Sequence, residues 1–266
     1  MHFTRTIALL PLALLAVLIS CAHEEKKSEE LTSIEFSSAE DTTKYPLKGN
    51  ATFKQLNSTV NSVVLTGLDS IRLINIYKVK PGSEKNVNRE EGTTYYRKLD
   101  DNTGEPSSDE DNFCYFMPGM DVISGYNLIN VGHYDMATSR LSYFFQKPVL
   151  VRNLYFPGVK RDSLKGIPVS RDFFLASVYD QDTNNDSLIN KKDLRRMYHF
   201  DKRNTTRTAL LPERYSAIRS TYDYRNDIMY IYAKYDANKN GTTEKTEPVS
   251  IFYINLKAPS KARKMI

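Results

Sequence analysis

Tryptophan is absent from the 266 residues, histidine occurs four times and cysteine only twice, at Cys21 and Cys114. There is no Gly-x-Ser-x-Gly elbow, no His-Glu-x-x-His pair and no phosphate-cradling glycine loop. The common sequence signs of a serine hydrolase, a zinc protease and a nucleotide-binding loop are therefore missing. Lys and Arg are interspersed with Asp and Glu at a net charge of +5, and no basic run is long enough to read as a nucleic-acid patch. No apolar run reaches the roughly 20 residues of a membrane-spanning helix. The longest extends from Ile7 to Ser20 and is interrupted by Pro11.

That run follows Arg5 and ends in Leu18, Ile19, Ser20 and Cys21. It has the layout of an export signal, and its end resembles the lipobox of bacterial lipoproteins. The resemblance implies cleavage after residue 20 and a lipid, palmitate included, on Cys21. Residue 22 is Ala, where Asp would signal inner-membrane retention, and Glu24 and Glu25 follow soon after. This acidic pair resembles the surface-export signal of Bacteroidetes lipoproteins and implies the outer membrane, on its periplasmic or cell-surface face. Cleavage would leave 246 residues (266 − 20) with a charge of about +4, since Arg5 goes with the signal. With Cys21 lipidated, Cys114 has no disulfide partner and is expected to be buried as a small hydrophobe.

Residues 21–50 are polar and charged and read as a flexible tether. Residues 51–266 read as one β domain, rich in its 18 tyrosines. Strands are expected over Thr59 to Thr66, Ser70 to Lys80, Phe113 to Met117, Leu128 to Tyr134, Leu141 to Phe145 and Val149 to Phe156. Residues 82–112 read as a long acidic loop, apart from the brief strand-like Thr93 to Arg97. Its Asp100, Asp101, Asp109, Glu110 and Asp111 fit no ligand spacing. A loop with Pro157, Gly158 and several charges then leads to the second half.

Two twelve-residue stretches carry the clearest chemistry. Loop 1 runs from Asp182 to Asp193 and loop 2 from Asp236 to Glu247. Oxygen-bearing side chains stand at positions 1, 3, 5, 9 and 12 of each, the spacing of an EF-hand-type calcium loop. Calcium takes six to eight oxygens at about 2.3–2.6 Å, which suits carboxylates, amides and backbone carbonyls. Loop 1 would offer Asp182, Asn184, Asp186, the Leu188 carbonyl, Asn190 through water, and Asp193. Loop 2 would offer Asp236, Asn238, Asn240, the Thr242 carbonyl, Glu244 and Glu247. A register beginning at Asp180 would put Lys191 at the closing position, so the Asp182 register is preferred. Ser187 stands at position 6, where Gly normally makes the turn, whereas loop 2 has Gly241 there. Thr243 is polar at position 8, where the family is apolar, which weighs against pairing with another such loop. Both remain compatible with plain Asx-rich turns that bind nothing.

The flanks differ from an EF-hand, which brackets its loop with helices. Ile228 to Tyr235 and Pro248 to Leu256 have strand character around loop 2. Around loop 1, Phe173 to Tyr179 is strand-like, while Leu194, Met197 and Tyr198 also fit a helix face. Correspondence with loop 2 favours strand, so both are read as calcium-loop hairpins. The flanking residues correspond as well, which makes them parts of a repeated unit of about 54 residues, at about 172–225 and 226–266. Phe200, Asp201, Lys202 and Arg203, with Thr208 to Leu211, resemble blades of Tol-type periplasmic β-propellers. Ile254 to Lys257 with Ala262 to Met265 is a looser copy. The resemblance covers about 172–266 and implies an all-β, antiparallel, propeller-like fold, with a β-sandwich as the alternative. It implies no particular activity.

The function expected is a non-enzymatic, calcium-binding, lipid-anchored module that binds an outer-membrane protein or glycan. The aromatic strand Met229 to Tyr235 offers a ligand face, although core packing accounts for it as well. The alternative is a calcium-stabilised hydrolase acting on glycan or peptide, with paired carboxylates or His133 beside Asp135 in a pocket. His199, in an aromatic strand, is expected to be a packing or surface residue.

Overall fold

A computed structural model of the chain describes residues 33–35, 56, 58–79, 94–95, 117–125 and 127–266. The export signal, Cys21, the acidic stretch 100–111 and Cys114 lie outside the described residues. The strands are β1 (Ile34–Glu35), β2 (Ser58–Leu65), β3 (Ile71–Lys78), β4 (Thr94–Tyr95), β5 (Met120–Ser124) and β6 (Leu128–Asp135). They continue with β7 (Arg140–Tyr143), β8 (Leu150–Pro157), β9 (Asp162–Leu164), β10 (Ile167–Val169), β11 (Phe173–Tyr179) and β12 (Leu188–Ile189). The last are β13 (Arg196–Asp201), β14 (Arg207–Ala209), β15 (Tyr215–Asp223), β16 (Ile228–Tyr235), β17 (Val249–Asn255) and β18 (Ala262–Lys264).

The fold is all-β and antiparallel, as expected, and no sheet among the described residues closes into a barrel. A six-stranded sheet, β14-β13-β11-β8-β5-β4, lies between two four-stranded sheets, β2-β3-β6-β7 and β15-β16-β17-β18. The middle sheet is buried on both faces, which is why β11 reads as a mostly apolar run, broken only by Ser177, instead of an alternating one. Successive side chains on a strand point to opposite faces, so β11 serves two cores. Phe174, Ala176 and Val178 join Leu73, Val131 and Phe144 of the first sheet and its exit. Phe173 and Leu175 join Met229, Ile231, Phe252 and Ile254 of the last sheet. In the first core the rings of Phe144, Phe174 and Phe200 meet edge to face, with centroids 4.9–5.1 Å apart, the arrangement their quadrupoles favour.

Several expectations need correction. The expected strand over Phe113 to Met117 lies, except for Met117, outside the described residues; β5 begins at Met120, after a turn at Pro118 and Gly119 (φ +77). The charged stretch after Gly158 contains the hairpin β9–β10, turned by Lys165 and Gly166, both at positive φ, the type I′ requirement. The strand preferred over a helix face for Met197 and Tyr198 is present, however: β13 is paired with β11. Within the stretch read as a tether, Ile34 is fully buried against Ile76, Ile129, Leu150 and Ile189, and β1 pairs with β12. An apolar residue in a polar segment has found a complementary apolar surface.

The last sheet is latched to the middle one by Arg171. Its guanidinium donates to both carboxylate oxygens of Asp227 at 2.7 and 3.0 Å, to the Leu256 carbonyl and to the Pro118 carbonyl. Burial pushes the Asp227 carboxyl up, but hydrogen bonds from Arg171, its charge and the Tyr222 hydroxyl outweigh this and hold it below the usual range. A carboxyl whose folded value is lowered stabilises the fold above its unfolded value, about 3.9, and that contribution disappears as pH falls through the folded value. The urea-midpoint advantage of the wild type over Asp227→Asn should thus be constant from about pH 5 to 8 and shrink below about pH 4. A constant difference down to pH 2 would contradict the assignment.

Candidate metal-binding loops

Each twelve-residue loop joins two paired antiparallel strands, loop 1 between β11 and β13 and loop 2 between β16 and β17. The strands fix the ends, and the side chains fix the interior. At position 1, Asp182 and Asp236 each accept the N–H of position 5 at 3.2 Å. They also accept the N–H of position 6, at 2.9 Å from Ser187 and 3.2 Å from Gly241. Position 3 accepts the position 5 N–H at 3.1 Å in both, and position 5 accepts the position 7 N–H at 3.0 and 2.9 Å. Position 12 accepts the N–H of position 9, through Asp193 at 2.8 Å and Glu247 at 2.9 Å.

The backbones match as well. Position 4 has φ +61 at Asn185 and +62 at Lys239, and position 6 has φ +66 at Ser187 and +73 at Gly241. Ser187 thus adopts the left-handed turn that its side chain disfavours. The two loops thus match in turn geometry when aligned at Asp182 and Asp236, and Asp180 accepts the Tyr198 hydroxyl at 2.6 Å inside the fold.

All twelve ligand candidates fall on the two loops in equivalent places, and the donors are exclusively oxygens, which fits a hard cation such as calcium. Among the described residues no group of three or more His, Cys, Asp or Glu side chains forms a ready metal cluster. The donor sets rely instead on Asn184, Asn190, Asn238, Asn240 and two carbonyls. Asp193 is 1% exposed, and burial raises its carboxyl against the lowering effect of hydrogen bonds from Asn190 and Thr183. Glu247 is 7% exposed, and its Oε1 is buried without a hydrogen-bond partner.

The loops also touch. The Thr183 hydroxyl lies 2.5 Å from the Gly241 carbonyl oxygen, and a Cβ on Gly241 would lie 1.8 Å from the Thr183 carbonyl oxygen. Contact at position 8, the EF-type mode, does not occur: Ile189 pairs with Ile34 of β1, and Thr243 is exposed. Thr183 at position 2 was not legible as functional, because position 2 supplies no ligand in the spacing template. Arg214 and Lys234 tie loop 2 to its flanks by donating to the carbonyls of Asp236 and Glu244.

Of the residues weighed for catalysis, His133 and Asp135 line one cleft and His199 does not. His133 borders a cleft of about 780 Å³ together with Asp69, Asp135, Arg140 and Lys202. Its Nε2 is 3.0 Å from the Lys202 carbonyl, which only accepts, so that nitrogen carries the proton. The ring edges meet Phe144 and Phe174. Asp135 accepts the Ala137 N–H at 2.9 Å, and that bond leads the effects holding its exposed carboxyl below the usual range, the wrong direction for a general acid. His199 is buried with its ring 5.8 Å from Phe173, and burial lowers its pKa.

No family model matches the chain, and no curated protein matches it. Among solved structures, a nidogen–laminin complex is similar at a TM-score of 0.31 and 10% identity, over 79% of this chain. The chain spans 65% of that structure's length.

Proposed function

We propose that this chain is a calcium-binding, lipid-anchored exported lipoprotein whose β domain acts as a binding or assembly module at the outer membrane. The observation that carries the calcium part is the matched pair of loops, alike in hydrogen bonding and in both left-handed positions, each closed by a buried carboxylate. The ions would pin hairpins β11–β13 and β16–β17. Calcium sensing of the EF-hand kind needs helices that reorient, and these loops are flanked by strands.

The anchor rests on residues 5–21 of the sequence and their resemblance to a lipobox. The two four-stranded sheets β2-β3-β6-β7 and β15-β16-β17-β18, and the β8-β11-β13-β14 part of the six-stranded sheet between them, support reading the sheets as propeller-like blades. For a partner, the outward face of β16 and β17 presents Tyr230, Tyr232 and Tyr253, none of which belongs to the core behind them. Arg219 lies 3.5 Å from the Tyr232 ring centroid on that face. Tyrosines offer a sugar or a protein a rigid surface with a polar tip.

Extracellular modules bind calcium at roughly 10⁻⁴–10⁻³ M. At 10 mM calcium one such site adds about 1.4–2.7 kcal/mol, or roughly 3–10 °C in Tm for a domain of this size. Thermal unfolding in calcium and in chelator checks this, and identical curves would contradict the calcium part. A pull-down with the lipidated protein from detergent-solubilised outer membrane checks the partner. Specific recovery of one protein or glycan is expected, and recovery no different from a heat-denatured control would contradict it.

A further inference from the structure

The loops share a skeleton but differ in how their closing carboxylates are satisfied. In loop 1, Asp193 Oδ1 faces the Thr183 N–H at 2.7 Å and its hydroxyl at 3.1 Å, while Oδ2 accepts the Asn190 N–H at 2.8 Å. Both oxygens are occupied by the chain itself. In loop 2, Glu247 uses Oε2 alone, on the Glu244 N–H, and Oε1 is buried with no donor. A carboxylate oxygen left so is costly unless something positive meets it. Glu is also one methylene longer than Asp and can present both oxygens to an ion while remaining on its own loop.

The second difference is at position 2. Thr183 accepts the Leu194 N–H at 2.9 Å through its hydroxyl, whose one proton is aimed at the nearer Gly241 carbonyl across the loop boundary at 2.5 Å, while its backbone N–H holds Asp193 at 2.7 Å. Its counterpart in loop 2 is Ala237, which is exposed and has no hydroxyl. Loop 1 therefore has an internal clasp where loop 2 has an unmet charge. The clasp residue bears on the left-handed turn of loop 2, where Gly241 packs against the Thr183 and Asn184 backbone.

We propose that the loops divide the work. Loop 2 takes the divalent cation, with Glu247 Oε1 as the coordinating oxygen that has no other use. Loop 1 is closed by Thr183 on Asp193 and braces loop 2 through Gly241. This rests on the calcium reading above and reduces its stoichiometry from two ions to one.

Calcium titration of the full chain by calorimetry, with melting curves in chelator, tests it. One ion per chain is expected. Glu247→Gln should weaken binding at least about tenfold, yet melt in chelator no lower than the wild type, because it removes an unmet buried charge. Asp193→Asn should melt lower in chelator while keeping one site, its Kd within about threefold. Thr183→Val touches no loop 2 ligand and should weaken calcium about three- to tenfold through lost preorganisation. Two ions per chain, or binding that survives Glu247→Gln and is lost in Asp193→Asn, would overturn the division and leave calcium binding intact. Unchanged affinity in Thr183→Val would overturn the brace. No calcium uptake by the wild type would overturn the division together with the reading beneath it.

Discussion

Arg171→Met should cost about 3–5 kcal/mol, the range for breaking a buried ion pair from one side, and lower Tm by roughly 6–20 °C. The reason is what remains. Asp227 is 3% exposed and would keep its charge with only the Tyr222 hydroxyl, at 3.0 Å, as a side-chain donor. The carbonyls of Pro118 and Leu256 would lose the same guanidinium. Asp227→Asn should cost a similar amount by stranding Arg171, and Asn tolerates the φ of +57 at that position. The double variant should lose much less than the sum, because each single change already removes the shared interaction. Urea unfolding of the four proteins measures this, and single losses below about 1 kcal/mol would mean the pair is screened and marginal.

Gly241→Ala should cost about 2–4 kcal/mol, from a left-handed φ of +73 and from overpacking. The new Cβ would meet the Thr183 carbonyl oxygen at 1.8 Å, its carbon at 2.2 Å and the Asn184 nitrogen at 2.8 Å. These are backbone atoms, so no side chain can swing away, and the loops must separate. Ser187→Gly is the matched control at position 6 of loop 1. It should lie between about neutral and 1 kcal/mol stabilising, since it relieves the same backbone conformation while loosening the unfolded chain. Chemical denaturation in chelator separates the two, and equal effects of the same sign would contradict the contact between the loops.

The loops and their hairpins were legible because the relevant signals are local. Oxygen spacing, the Gly at position 6 and the β-branched flanks all lie within a single hairpin. The central strand β11 was legible for the same reason, as a mostly apolar run. Contacts between distant segments were not. Ile34 sits among charged residues, and nothing near it indicates that Ile189 would be its partner. Thr183 and Gly241 belong to different hairpins, and their meeting depends on how the middle and last sheets stack. Hairpin β9–β10 was missed because Lys165 holds the first turn position, where Asn or Asp would have given the usual signal. His133 and Asp135 border one cleft, but the groups that hold the His133 ring, the Lys202 carbonyl and two phenylalanines, come from other segments and were not legible.

Amide hydrogen exchange, followed by peptide across residues 182–193 and 236–247 in calcium and in chelator, tests the central claim most directly, since it reports both binding and its location. Millimolar calcium should slow exchange in 236–247 most strongly, and in 182–193 through the Thr183–Gly241 contact, with the sheet interiors changing little. Identical exchange in both loops with and without calcium would contradict the claim that this pair of loops holds a cation.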